Sequence, residues 1–155
     1  MEYHKQKAID YAYQWAMSRN PRYYNFDDLG GDCTNFVSQC LNAGCQKMNY
    51  QKGTGWFYIS PTNRAPAWTS VEALYHFLTT NKGPGPYGKL IPFEQVQAGD
   101  IIQLSFDGNR FTHSSFVVTT YPEVMVAQHS GNYINRPMST QVYQKIRVIR
   151  ILGCR

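Results

Sequence analysis

Apolar positions along the chain change their spacing once, near residue 100. Ala8, Ile9, Ala12, Trp15 and Ala16 fall on one face of a 3.6-residue period, which predicts an amphipathic helix over residues 5–19, ended by Arg19-Asn20-Pro21. Residues 21–31 are a loop rich in Tyr, Asp and Gly. Cys33, Phe36, Val37, Cys40 and Leu41 repeat the helical spacing, with Asp32 placed as N-cap and Gly44 as the terminating C′ residue. A third helix is predicted after Thr69-Ser70-Val71-Glu72, which matches a capping box, with Val71, Leu74, Tyr75 and Leu78 as its stripe. The connection over residues 45–68 carries Gly53, Gly55, Pro61 and Pro66 beside Trp56 and Trp68. Connections of that length in a compact domain are usually functional or partly structured. Residues 81–86 are punctuated by Gly and Pro and predict irregular chain.

From Asp100 onward the period is two. Strands are predicted over Ile101–Phe106, Phe111–Thr119, Val124–His129 and about Ile146–Leu152. Asp107-Gly108-Asn109 and Tyr121-Pro122-Glu123 supply the turns. Helices come first and strands second, so the expected class is α+β with an antiparallel sheet. A length of 155 residues suits a single domain, taken as 1–155.

Composition narrows the function classes. Aromatic residues make up 15% and charged residues 16%, which is not the composition of a disordered chain. No apolar run approaches the ~20 residues of a membrane helix. The start, MEYHKQKAIDYA, has no apolar signal segment, though a longer exported parent chain would be compatible. The net charge of +5 is spread out, its nearest approach to a run being Lys145, Arg147, Arg150 and Arg155. That distribution favours solubility over nucleic-acid binding. Cys33, Cys40, Cys45 and Cys154 form no CxxC, which argues against zinc-ribbon and thioredoxin chemistry. Whether Cys45 bridges to Cys40 or to Cys154 stays open at this level. No cofactor, no metal and a monomeric state are expected.

Three residues carry the candidate chemistry. Cys33 opens the second helix, where the helix dipole and free N–H groups favour a thiolate and an oxyanion. His113 lies on a strand. His113 and His129 are equidistant from Tyr121, so a hairpin turning there would set them side by side, His129 orienting the base His113. A one-residue slip would send one of them to the other face. Nucleophile, base and orienter make a triad for acyl transfer through a thioester. Asp32 is read first as the cap and second as a substrate contact. Asn35 and Gln39 either line the site or tie down loops. Trp56 and Trp68 read as core residues, His76 and His4 as surface residues, and Asp100 as a turn residue.

Gly30-Gly31-Asp32-Cys33-Thr34-Asn35-Phe36-Val37-Ser38-Gln39 resembles the nucleophile helix of the putative amidase-domain family, placed among the NlpC-type papain-like cysteine peptidases. Arg64-Ala65-Pro66-Ala67-Trp68, Gly99-Asp100-Ile101-Ile102-Gln103-Leu104, Thr112-His113-Ser114 and Gln128-His129-Ser130 extend the likeness from about Tyr3 to Leu152. The resemblance implies a papain-like fold, the nucleophile helix packed on the sheet. It also implies Cys33, His113 and His129 as catalytic, with Asn132 and Asn135 as fallback third members. It implies hydrolysis of amide or isopeptide bonds, commonly in bacterial peptidoglycan peptides. The setting would be a secreted or wall-associated parent chain, or a delivered lysin or effector. A thioester-based acyltransferase and a non-catalytic wall-binding module are the competing readings.

Overall fold

The computed structural model describes residues 2–155. Two helices lead the chain, α1 (Lys5–Trp15) and α2 (Cys33–Cys45). A short hairpin, β1 (Tyr58–Ser60) and β2 (Asn63–Arg64), precedes the one-turn α3 (Pro66–Thr69) and α4 (Val71–Thr80). The strands β3 (Pro86–Ile91), β4 (Ile101–Ser105), β5 (His113–Thr119), β6 (Met125–Gln128), β7 (Tyr133–Pro137) and β8 (Lys145–Cys154) follow. They form one antiparallel sheet in the order β3-β8-β4-β5-β6-β7. The class is α+β, as the change of period predicts.

Each face of the sheet buries an apolar cluster. On one face, Ala8, Ala12, Phe36, Val37 and Leu41 of the leading helices pack with Phe116, Ala127 and Ile149. On the other, Ile102, Leu104, Val117, Val126 and Val148 close against Met138. Both tryptophans are fully buried in the first cluster, as core residues should be. Ser38 accepts from Trp56 Nε1 at 3.0 Å and donates to the Trp68 carbonyl at 2.9 Å. These bonds explain how the indole of Trp56 is satisfied without water.

Several boundaries differ from expectation. α1 ends at Trp15, and its cap Ala16 donates back to Ala12. α2 runs past Gly44 to Cys45, and Gln46 takes the left-handed cap conformation at φ 56°. Gly44 is needed for packing instead: a Cβ there would lie 2.6 Å from the Tyr3 ring. Ser70, not Thr69, caps α4, its hydroxyl accepting from the Ala73 N–H. β3 begins at Pro86, inside the stretch expected to be irregular, and β7 is a strand that the apolar pattern does not predict, because Asn and Pro interrupt it. Cys45 and Cys154 form a disulfide with Cα atoms 5.7 Å apart, tying the end of α2 to the end of β8. Cys33 and Cys40 are free. Among the described residues no helix is long and apolar enough to cross a membrane.

Candidate active site

Cys33 is the first residue of α2 and is 8% exposed. It borders an open cleft of about 400 Å³, walled by Gly30-Gly31, the α3–α4 junction and the β4–β5 turn. Burial pushes its thiol above the ordinary range, and bonds to the sulfur from the Ser114 N–H and the Thr34 hydroxyl offset only part of that. The Thr34 and Ser114 hydroxyls meet at 3.0 Å and fasten the first turn of α2 to β5. The sulfur therefore lies at the start of β5, one residue along from His113. No hydrogen bond joins Cys33 to His113 among the described residues, and such contacts commonly tighten only with substrate.

His113 is the first residue of β5. Its Nε2 is buried without a partner, and so is Oε1 of Gln128. Burial holds the imidazole below its ordinary range; the Gln128 side chain acts the other way, and the Arg136 charge adds to the lowering. Gln128 is thus the side chain that bears on the candidate base.

His129 is not brought beside His113. β5 and β6 pair Phe116 with Ala127 and Val117 with Val126, after a register shift next to the turn. Continued toward His113, that register opposes Ser115 to Gln128. The extra residue at the shift moves the pairing by one, and side chains alternate faces along a strand. Gln128 then stands diagonal to His113, while His129 faces the leading helices. There His129 stacks on Phe36 at 4.1 Å. Its Nδ1 meets Asp32 Oδ2 at 2.5 Å and its Nε2 meets the Trp15 carbonyl at 2.8 Å. Both ring nitrogens therefore meet an oxygen.

Asp32 is the centre of that network, and its side chain caps nothing. It accepts from the Phe26 N–H at 2.8 Å and from Asn35 Nδ2 at 2.8 Å, and Arg19 Nε stands 3.2 Å away. Burial by itself would raise its pKa, but the bonds from His129, Phe26 and Asn35 outweigh that and lower it. The residue is fully buried, with its carboxylate turned into this network rather than toward the cleft. Because Asp32 turns away, the first-turn N–H groups of α2 keep no acceptor from their cap residue.

The remaining candidates sort by contact. Asn35 donates to the Tyr24 carbonyl and accepts from Trp68 Nε1 at 2.9 Å, and Gln39 accepts from the Tyr11 hydroxyl at 2.6 Å. Both tie elements together. Asn132 follows β6 and Asn135 lies in β7, where its side chain accepts from the Tyr13 hydroxyl at 2.9 Å. Asp100 closes a turn by accepting from the Gln97 N–H and pairs with Arg150 at 2.6 Å. His4 and His76 are exposed. Among the described residues, no group of three His, Cys, Asp or Glu could hold a metal ion.

A helix-borne cysteine thus borders the cleft, and its sulfur meets the start of a strand that opens with a histidine. Residues 2–152 match the family described as "Putative amidase domain", and the chain belongs to that family. It is 33% identical over 138 residues to uncharacterized protein YhbB of Bacillus subtilis (strain 168), covering 87% of this chain and 43% of the relative. It is 28% identical over 139 residues to uncharacterized protein YjcM of the same organism, covering 84% and 31% respectively. The chain thus spans less than half the length of these curated relatives. No solved structure matches it.

Proposed function

We propose that this domain is a cysteine amidase or peptidase of papain-like arrangement, with Cys33 as nucleophile, His113 as general base and Gln128 as the residue orienting His113. The observation that carries the reading is the placement of Cys33: first residue of a helix its cap leaves open, on a cleft, against the start of the strand that begins with His113. Neutral His113 takes the thiol proton as sulfur attacks the amide carbonyl. The first-turn N–H groups of α2 receive the oxyanion. Imidazolium then returns the proton to the leaving amine, and the acyl group stays on sulfur as a thioester. Water, deprotonated by His113, attacks the thioester; the C–S bond breaks, the acid leaves, and the imidazolium returns its proton to the Cys33 sulfur. Gln128 Oε1 and His113 Nε2, both without a partner in the free domain, would pair as substrate binds, leaving the other ring nitrogen for the sulfur.

Bacterial cell-wall peptides are the proposed substrate, on the strength of the family likeness. The Cys45–Cys154 disulfide supports an oxidising compartment, as outside the cytosol. The test is a digest of peptidoglycan stem peptides in ¹⁸O-labelled water, followed by mass spectrometry. New amine termini, with label in the matching carboxylates, are expected from the wild type and not from Cys33→Ala. An intact digest with every stem peptide would refute the substrate assignment.

A further inference from the structure

The cleft beside Cys33 carries two charged side chains on its walls, Glu72 and Arg110. They are not equivalent. Both Glu72 oxygens are held by Arg147 Nη2, at 3.0 and 3.3 Å. Arg147 is itself fixed, stacked between the Tyr75 and Phe111 rings at 3.9 and 4.0 Å and bonded to Gln103 at 2.8 Å. The Glu72 charge is therefore already answered. Arg110 has no ion-pair partner among the described residues. Its nearest acid in sequence, Asp107, spends Oδ1 on the backbone N–H groups of Asn109 and Arg110 and on the Ser105 hydroxyl. Across the cleft, Gly30 offers open space where a side chain would stand. Arg110 is thus the charged side chain on the cleft wall that makes neither an ion pair nor a side-chain hydrogen bond among the described residues, its charge reaching Asp107 only at longer range.

We infer that Arg110 is a specificity-determining residue that binds a carboxylate of the substrate next to the scissile amide, so that the preferred substrates are acidic peptides. This rests on the proposed role of Cys33 and names the substrate class of the same site. The guanidinium is the side chain suited to that task, since it presents paired N–H donors in the plane a carboxylate requires. Arg110 stands on the β4–β5 turn, outside any strand, so it can close on a ligand without disturbing the sheet.

Iodoacetate and iodoacetamide test this directly, because they differ only in a carboxylate against a carboxamide. Cys33 is the thiol to follow: Cys40 is fully buried and Cys45 and Cys154 are bridged. Alkylation rates at Cys33 would be read by peptide mass spectrometry in the intact domain, for wild type, R110Q and R110K. The iodoacetate-to-iodoacetamide ratio should fall about five-fold in R110Q, the effect of losing one partly exposed charge pair. R110K should keep most of the ratio, and added salt should lower it in wild type. A ratio unchanged in R110Q overturns the inference. An iodoacetamide rate that His113→Ala leaves unchanged counts instead against the Cys33–His113 pairing, and the two results are read from separate variants.

Discussion

At rest Cys33 is a thiol and His113 a neutral imidazole, since burial disfavours the charged form of each. On the proposed mechanism the proton moves only when sulfur attacks, and His113 would act as a base rather than as the partner of a standing thiolate. The expected pH profile follows. His113 is the competent base above its own pKa, and that pKa lies below the usual ~6.5, so the acid limb of kcat/KM should fall below that value. An acid limb above pH ~7 in a stopped-flow profile would contradict this. His113→Ala should lower kcat by about 10²- to 10⁴-fold, the range of general-base contributions. Gln128→Ala should move the acid limb further down, because the Gln128 contact favours the protonated ring. A Gln128→Ala profile identical to wild type would remove Gln128 from the site. That Cys33 opens a helix and His113 lies on a strand was legible in the sequence, and the family resemblance made them candidates. Gln128 was not: which neighbour faces His113 depends on one residue of register, and the shift beside Thr119 has no local signature.

At the level of elements, α2 is held less by its own capping than by what meets its first turn. Asp32 collects His129 from the end of β6, the Phe26 N–H from the preceding loop, and Arg19 from beyond α1. His129 in turn reaches the Trp15 carbonyl, so α1, α2 and β6 share one buried junction. Removing one partner of a buried pair strands the other, and Asp32→Asn should destabilise the domain by about 3 kcal/mol in urea melts. Loss under 1 kcal/mol would show that the network is dispensable. Because its folded-state pKa is depressed, Asp32 contributes fully above its unfolded value of ~4, and that stability is lost as pH falls through the lower folded value. The helices could be read from spacing because each presents one apolar stripe. β3 and β7 could not, since Pro86, Gly88 and Pro137 break alternation on strands at the sheet edges, where proline is tolerated.

Across the whole molecule, the disulfide closes a separation of 109 residues and joins the two ends of the fold that lie away from the cleft. The chain-entropy argument gives such a cross-link about 5 kcal/mol. Cys45→Ala with Cys154→Ala should therefore lower the urea midpoint markedly while leaving kcat near wild type at 25 °C. Activity lost together with the bridge, in a protein still folded by circular dichroism, would mean that the far end of α2 controls its catalytic end. The α+β class was readable from the order of periods alone, helices before strands. The strand order was not, because β8 enters between β3 and β4 from the far end of the chain.

The most direct test of the account is to find where the acyl group goes. Turnover of a stem peptide would be quenched in acid and the enzyme mapped by peptide mass spectrometry. The account predicts an acyl mass on Cys33, released by hydroxylamine as a thioester is, and absent from Cys40. Hydrolysis at the wild-type rate in Cys33→Ala, or an acyl group on any other residue, would contradict it.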